Sequence, residues 1–512
     1  MSNTATQKGH PKGLYFLFFT EMWERFSYYG MRAIFILFMT KVLLMQDKDA
    51  SEIYGSYTGL VYLTPLLGGY LCDKYLGNRR SIIIGGFLMA IGQFCMFLSA
   101  SAGAEGGVSI MWAGLTALII GNGFFKPNIS TMVGQLYPDG DRRIDSAFTI
   151  FYMGINLGAF FSPLICGSMD FKWGFLAACL GMVASLISFI LFQKKYLISL
   201  EGKEIGLPVK KLDMVSILMI AGSIGIVFFM LNFKQMFKSD VDIISYFIYG
   251  AMILMPLIIL TDKSLTKLER NRIIVIFILA FFVIFFWGAF EQAGASLTLF
   301  ADRQTDRNLF GWEMPASYFQ SINPLAVICL APVFTLIWGF LYARKLEPSS
   351  PFKMAYGLAL VAIGYIVIAI AVKGLGVSDK VSMWWLVALY IIHSMGELCL
   401  SPIGLSMVSK LAPLRLSSLM MGTWFLANAA ANKFAGTLSA LIPPSVEPGS
   451  TEPVTYPSFA GFQITNLYEF FMLFIVMTGV AAGILFFLGS WLQKLMKEKH
   501  NDNSVDGAVL NN

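Results

Sequence analysis

Charge is scarce in this sequence: Asp, Glu, Lys and Arg together make up 13% of its 512 residues, where a soluble domain carries roughly 25%. So few charges cannot cover a globular surface in water, and with 56% hydrophobic residues the chain belongs in lipid. Other absences narrow the function. The sequence contains no H-E-x-x-H, no C-x-x-C and no large hydrophilic segment able to house a catalytic domain, which argues against an intramembrane enzyme. The six cysteines, Cys72, Cys95, Cys166, Cys179, Cys329 and Cys399, sit in apolar segments at spacings that match no zinc or redox motif. They read as packing residues, and neither a metal nor a cofactor is expected. The first 13 residues are polar, and the apolar run behind them is too long and aromatic for a cleaved signal peptide, so the amino terminus is expected to remain. The net charge of +6 is no argument for nucleic acid, because the basic residues flank apolar segments, where they set membrane orientation.

What is present is a succession of apolar stretches, each long enough to cross a hydrocarbon core of about 30 Å as a helix. Fourteen are expected, near residues 14–44, 51–73, 81–101, 108–131, 144–168, 174–193, 213–233, 242–261, 272–300, 316–343, 354–373, 382–409, 416–441 and 464–493. With the amino terminus in the cytoplasm, most basic loop residues fall on the same side: Lys74, Arg79, Arg80, Arg142, Arg143, Lys194, Lys195, Lys203, Lys210, Lys211, Arg344, Lys345, Lys410 and Arg415. This bias predicts both termini inside and an even number of spans. The polar stretch 201–211 and the basic stretch 261–272 bracket two spans whose interiors carry almost no ionisable residue, which reads as a helical hairpin inserted between two halves. The expected division is a six-helix bundle over 1–200, a linker with two extra helices over 201–268, a second six-helix bundle over 269–497 and a disordered cytoplasmic tail over 498–512.

The ionisable residues inside the predicted spans include Glu21, Glu24, Arg25, Arg32, Lys126, Glu291, Glu397 and Lys433. Such a residue at a helix centre costs at least about 2.5 kcal/mol on insertion scales, so it is a functional suspect by default and should face a wet cavity or the bundle interior. Glu21, Arg25, Tyr29 and Arg32 are spaced by four, four and three. At 100° per residue they fall within about 80° of arc, so one helix face presents a carboxylate, two cations and a phenol.

The segment Glu21 to Gly30, EMWERFSYYG, resembles the E-x-x-E-R-F-x-Y-Y-G signature of the proton-dependent oligopeptide transporter family, a branch of the major facilitator superfamily. Further stretches agree with that family: GNGFFKPNIS at Gly121 to Ser130, FYMGINLGAFFSP at Phe151 to Pro163, FWGAFEQAG at Phe286 to Gly294, INPLAV at Ile322 to Val327 and GELCLSPIG at Gly396 to Gly404. Gly69, Asp73, Lys74, Gly77, Arg79 and Arg80 resemble the loop between the second and third helices of the superfamily. The resemblance implies an all-α polytopic fold of two six-helix bundles that rock about a central site. An inserted hairpin is usual in bacterial members.

A zwitterionic peptide needs a cation for its carboxylate and an anion or carbonyl for its ammonium. Arg25, Arg32 and Lys126 outnumber the acids in the first half, whereas Glu397 and Glu291 meet only Lys433 in the second. The resemblance implies that Arg32 and Lys126 hold the carboxylate of a di- or tripeptide while Asn156, Asn323 and Glu397 hold its amino terminus and backbone. It also implies that Tyr29, Tyr62, Tyr152, Gln320, Ser401, Trp424 and Asn428 line the cavity. Coupling to protons requires a carboxylate whose charge changes during the cycle; Glu21 and Glu24 beside Arg25 and Lys126 are candidates, and Glu291 is another. Gly55 stands where eukaryotic members carry a histidine. His393 reads as a neutral, hydrogen-bonded packing residue, and Lys433 as a side chain snorkelling toward an interface. Pro127, Pro324 and Pro402 each follow a proposed ligand residue and loosen its helix. The competing transport reading is a proton-coupled carrier of nitrate or another small anion, against which the complete signature and Glu397 argue. The expected localisation is a bacterial inner membrane, with the monomer functional.

Overall fold

The computed structural model describes residues 9–138, 141, 143–209, 213–376, 379–444 and 455–496. Arg142, Lys210, Lys211 and the tail from Glu498, assigned above to the cytoplasmic side, lie outside the described residues. The architecture is almost wholly helical; among the described residues the strands are three ladders of two residues each. The first group of helices comprises α1 (Lys12–Lys41), α2 (Asp47–Leu71), α3 (Asn78–Gln135), α4 (Ile144–Cys166) and α5 (Phe171–Tyr196). Next come α6 (Met214–Phe237) and α7 (Ile243–Leu260). The last group comprises α8 (Lys267–Phe290), α9 (Ser296–Arg303), α10 (Ile322–Ala343), α11 (Ser350–Val372), α12 (Met383–Leu411), α13 (Ser417–Ser439) and α14 (Leu467–Met496).

Helix α3 folds back on itself at Gly103, whose φ of 67° and ψ of −157° interrupt the helix. Ser99 Oγ donates to the Gly107 carbonyl at 2.6 Å, and Gly92 and Gly85 pack on Gly114 and Gly121. The two arms are therefore antiparallel neighbours, as the separate stretches 81–101 and 108–131 predicted. Helix α1 packs on α4 and α5, and α3 on α2 and α5; in the last group α11 packs on α12 and α14, α8 on α13 and α14, and α10 on α12. These two bundles meet chiefly along α2 with α13 and along α4 with α10. The α6–α7 hairpin lies against both, α6 on α3 and α7 on α13.

Among the described residues, ten helical segments are long and apolar enough to cross a membrane. Helices α1, α2 and α13 are not among them, because their interiors hold charges, tyrosines, asparagines and small residues. A helix of that composition is stable in lipid only if its polar side faces other protein or water. Lipid tails are as apolar as leucine, so association rests on close packing of small residues instead. Gly68 of α2 lies so near Gly123 of α3 that a Cβ on it would stand 2.0 Å from the Gly123 carbonyl oxygen. At Gly55 of α2 a Cβ would stand 2.6 Å from the Gly436 Cα of α13. No histidine could occupy position 55 in this arrangement. Helix α8 begins with a capping box, Thr266 Oγ1 accepting from the Glu269 amide at 3.2 Å and Glu269 Oε2 from the Thr266 amide at 2.8 Å.

Gly68→Ala is expected to lower stability in detergent by about 1–3 kcal/mol, because the methyl group must displace backbone. Gly69→Ala meets nothing within 4 Å and should stay within about 0.5 kcal/mol of the parent. Thermal unfolding of the two variants checks the contrast.

Candidate functional site

The face of α1 predicted from spacing turns inward. Arg25 Nε stands 2.7 Å from Glu21 Oε1 and 2.6 Å from Glu24 Oε2, with all three side chains buried. Asn122 Nδ2, from the second arm of α3, donates to Glu24 Oε1 at 3.2 Å. Two turns further along, the Arg32 Nε donates to the Tyr54 hydroxyl of α2 at 2.6 Å, and its Nη2 pairs with Glu291 of the other bundle. Glu291 can reach it because α8 ends there: residues 291–294 form a tight turn, in which Gln292 Nε2 donates to the carbonyls of Gly288 and Ala435, both at 2.9 Å. Gly294 belongs to this junction, since a Cβ there would collide with the Tyr54 hydroxyl.

Of these groups, Glu21, Arg25, Arg32 and Glu291 border a cavity of about 310 Å³ between the bundles, the size of a small-ligand pocket. Its lining on the first bundle includes Glu21, Arg25, Tyr29, Arg32, Tyr62, Lys126, Tyr152 and Asn156. On the second it includes Glu291, Gln320, Asn323, Glu397, Ser401, Trp424 and Asn428. Glu24 is not in the lining; it stands fully buried behind Arg25. Lys126 is not paired with Glu21 or Glu24 among the described residues. Its ammonium lies 4.3 Å above the centre of the Tyr62 ring instead, which leaves it free for a ligand anion. Across the cavity, Asn323 Nδ2 donates to Glu397 Oε2 at 2.8 Å and to Ser394 Oγ at 3.0 Å. No cation pairs with Glu397 among the described residues. One wall thus offers an uncommitted ammonium and the other an uncommitted carboxylate.

Two of the neutral residues are held by their own helices. Asn156 and Asn428 donate to the carbonyls of Tyr152 and Trp424 one turn earlier, at 2.9 and 3.3 Å. Gln320 donates to Thr298 at 3.0 Å and to the Ala33 carbonyl at 3.3 Å. His393 also reaches the cavity, with Nε2 3.2 Å from the Val361 carbonyl and its ring beside Tyr365 at 4.9 Å between centroids. Donation to that carbonyl requires a proton on Nε2.

Three features were not anticipated from sequence. Tyr54 and Asn122 take part in the charge network; Asn122 lies four residues before Lys126, a spacing that could have flagged it, whereas Tyr54 has no local signal. Lys433 does not snorkel to an interface. It is 1% exposed, lies 2.7 Å from Asp242 Oδ2 of the inserted hairpin and donates to Ser56 Oγ at 2.8 Å. It therefore does not face Glu291 or Glu397 either.

A sequence profile described as "POT family" matches residues 79–450. The chain belongs to the POT family. It is 37% identical over 464 residues to the peptide transporter YePEPT of Yersinia enterocolitica, covering 84% of this chain and 88% of that one. It is 29% identical over 507 residues to dipeptide and tripeptide permease A of Escherichia coli, covering 98% and 96%. Among solved structures, a peptide transporter POT in complex with sulfate superposes with a TM-score of 0.81 at 33% identity, over 97% of this chain and 98% of the other. A POT family transporter in complex with 5-aminolevulinic acid gives 0.79 at 34% identity, over 96% and 98%. The fold is accordingly that of the major facilitator transporters, and the chain is a multi-pass membrane transporter.

Removing one partner of the buried Arg32–Glu291 pair strands the other. Glu291→Ala should cost about 3 kcal/mol, whereas the double change Arg32→Leu with Glu291→Leu should recover most of it. Thermal unfolding of the two singles and the double in detergent, treated as a cycle, measures the coupling between the bundles.

Proposed function

We propose that this transporter is a symporter that carries di- and tripeptides inward with protons by alternating access. The observation that carries the reading is the opposed pair on the cavity walls: the Lys126 ammonium held over Tyr62, and Glu397 held only by a neutral amide. A bare anion has no use for the second. Arg32 and Lys126 bind the peptide carboxylate; Glu397, with Asn156 and Asn323, binds the amino terminus and backbone. Tyr29, Tyr62, Tyr152, Gln320, Ser401, Trp424 and Asn428 accept varied side chains by stacking, weak hydrogen bonds and water. The relatives, peptide transporters and di- and tripeptide permeases, support the same cargo.

Coupling resides in Glu21, Glu24 and Glu291. With Glu21 and Glu24 ionised, Arg25 is engaged by both; protonation releases it and strengthens the positive field at Lys126, which favours the peptide carboxylate. Protonation of Glu291 frees Arg32 in the same way. The chain has fourteen spans in a six, two and six arrangement, with boundaries near 200 and 268. Both termini face the cytoplasm of a bacterial cell, the protein lies in its inner membrane, and the monomer is the working unit. On the face away from the termini, Lys41 pairs with Asp302 at 2.7 Å and Asp47 with Arg303 at 2.7 Å, each across the bundles. Tyr152, in the cavity toward the termini, is 44% exposed, which supports an inward-facing state.

Uptake of a labelled dipeptide into proteoliposomes is expected to be concentrative only with an inward proton gradient, each pH unit contributing about 1.4 kcal/mol and each 100 mV about 2.3. Glu21→Gln and Glu24→Gln should each abolish the gradient-driven component, and unchanged concentrative uptake in both would refute the coupling assignment. Amidation of the dipeptide carboxyl should weaken competition at least about ten-fold. Nitrate should not compete; competition by nitrate but not by peptide would favour the anion carrier.

A further inference from the structure

Lys433 stands where three bodies meet. It lies on α13, its ammonium donates to Ser56 of α2, and its carboxylate partner Asp242 begins α7 of the hairpin. Around it the seam between the bundles is tight: Ser51 Oγ and Ser439 Oγ are 2.9 Å apart, and Gly55 touches Gly436 backbone to backbone. The two legs of the hairpin are attached to different bundles. The chain entering α6 is bound to the first, the Arg79 amide donating to the Gly206 carbonyl at 2.9 Å and Arg79 Nη1 pairing with Glu204 at 2.9 Å. Helix α6 then packs on α3, and its Lys234 reaches Glu52 of α2 at 2.9 Å. Helix α7 packs on α13, and the chain leaving it is bound to the second bundle, where Arg415 Nη2 donates to the Ser264 carbonyl at 3.1 Å and faces Glu269 at 3.6 Å. The legs touch each other less than either touches its own bundle.

We propose that the inserted hairpin is a strap across the seam, one leg moving with each bundle, and that Asp242 and Lys433 are positioning residues that hold the face away from the termini closed. The proposal rests on the reading that the bundles move against each other. Opening that face must part Ser51 from Ser439 and Gly55 from Gly436, take Lys433 away from Ser56 and admit water to the ammonium. The closed form therefore buries the cation and depends on Asp242 to neutralise it, whereas the open form hydrates it and does not. An opposing carboxylate removed from a buried pair leaves an uncompensated charge, while removal of both partners is nearly neutral. The sign of the effect follows: loss of Asp242 alone opens the face, and loss of both residues closes it again. A cavity of about 280 Å³, lined in part by Glu52, Trp112, Lys234 and Asp242, gives the legs room to shear about the turn at Lys238, whose φ is 47°.

The test uses the full chain in lipid nanodiscs with spin labels at Leu44→Cys and Phe310→Cys, positions 72% and 101% exposed on that face and on different bundles, and with the exposed Cys329 replaced by serine. Asp242→Asn should raise the ratio of long to short distances at least about ten-fold, and Asp242→Asn with Lys433→Met should return it to the parent value. An unchanged distribution in the single variant, or a double variant as open as the single, would overturn the proposal. Should Asp242→Asn not fold, Ser56→Ala, which keeps the ion pair and removes only the acceptor across the seam, must raise the open population several-fold, and no change would equally overturn it. The distances need neither peptide nor proton gradient. Failure of peptide uptake with the shift intact would count against the transport reading alone, and the reverse result against the strap alone.

Discussion

A cation taken out of water must meet an anion, and in this chain the placement of the anions decides which helices have to be neighbours. Arg25 is answered from its own helix by Glu21 and Glu24, so α1 can carry three charges in one stretch without help from elsewhere. Among the described residues, Arg32 is answered only by Glu291, on the opposite bundle, and Lys433 by Asp242, on the inserted hairpin. Each such pair ties together segments far apart in sequence, and neither half tolerates the loss of the other. Two groups stand outside this pairing. Lys126 and Glu397 have no charged partner among the described residues, and both open on the same cavity. In a fold that pairs its other buried charges, leaving those two uncommitted costs stability unless something else supplies the missing charge from time to time.

How far the sequence reveals this arrangement depends on how local each interaction is. The face of α1 could be read from spacing, because residues four apart on a helix must lie together whatever surrounds them. The helical reading of 81–101 and 108–131 as two stretches was likewise available, since Gly103 and its polar neighbours break the apolar run. Lys433 was misjudged for the opposite reason. Nothing within a helical turn of it is acidic, and its partner begins a helix whose composition says only that it is apolar. Tyr54 is another case: a tyrosine in a helix rich in tyrosine and glycine carries no mark that its hydroxyl will meet a guanidinium. The predicted span 272–300 also concealed a break, for Glu291 sits at the end of α8 and not within it. That position matters, because a helix end presents its last side chain to the neighbouring bundle while the turn behind it is fixed by Gln292.

The glycines record the same constraint in another form. Position 55 is a glycine because α2 and α13 approach until their backbones touch, and only small residues permit that distance. A histidine relay at that point would need the helices spread apart. The contact therefore has two consequences, a tighter seam and the absence of one titratable group at position 55; under the proposed coupling, the second leaves proton handling to the glutamates. Small residues at the seam also suit a contact that parts and reforms, as the proposed alternating access requires, since it depends on shape and not on a large buried apolar surface.

On the proposed function, binding and closure are linked through Arg32. In the structure its guanidinium is shared between Tyr54 and Glu291, so a peptide carboxylate can engage it fully only by competing with Glu291. A proton on Glu291 removes that competitor. Ligand and proton then favour the same state of the pair, and by linkage each must raise the affinity for the other. The same exchange loosens one of the ties across the bundles, so the event that admits the substrate also weakens the barrier on one side of it. On that reading a carrier built this way needs no separate sensor: the residue proposed to bind the peptide carboxylate already ties the two bundles together.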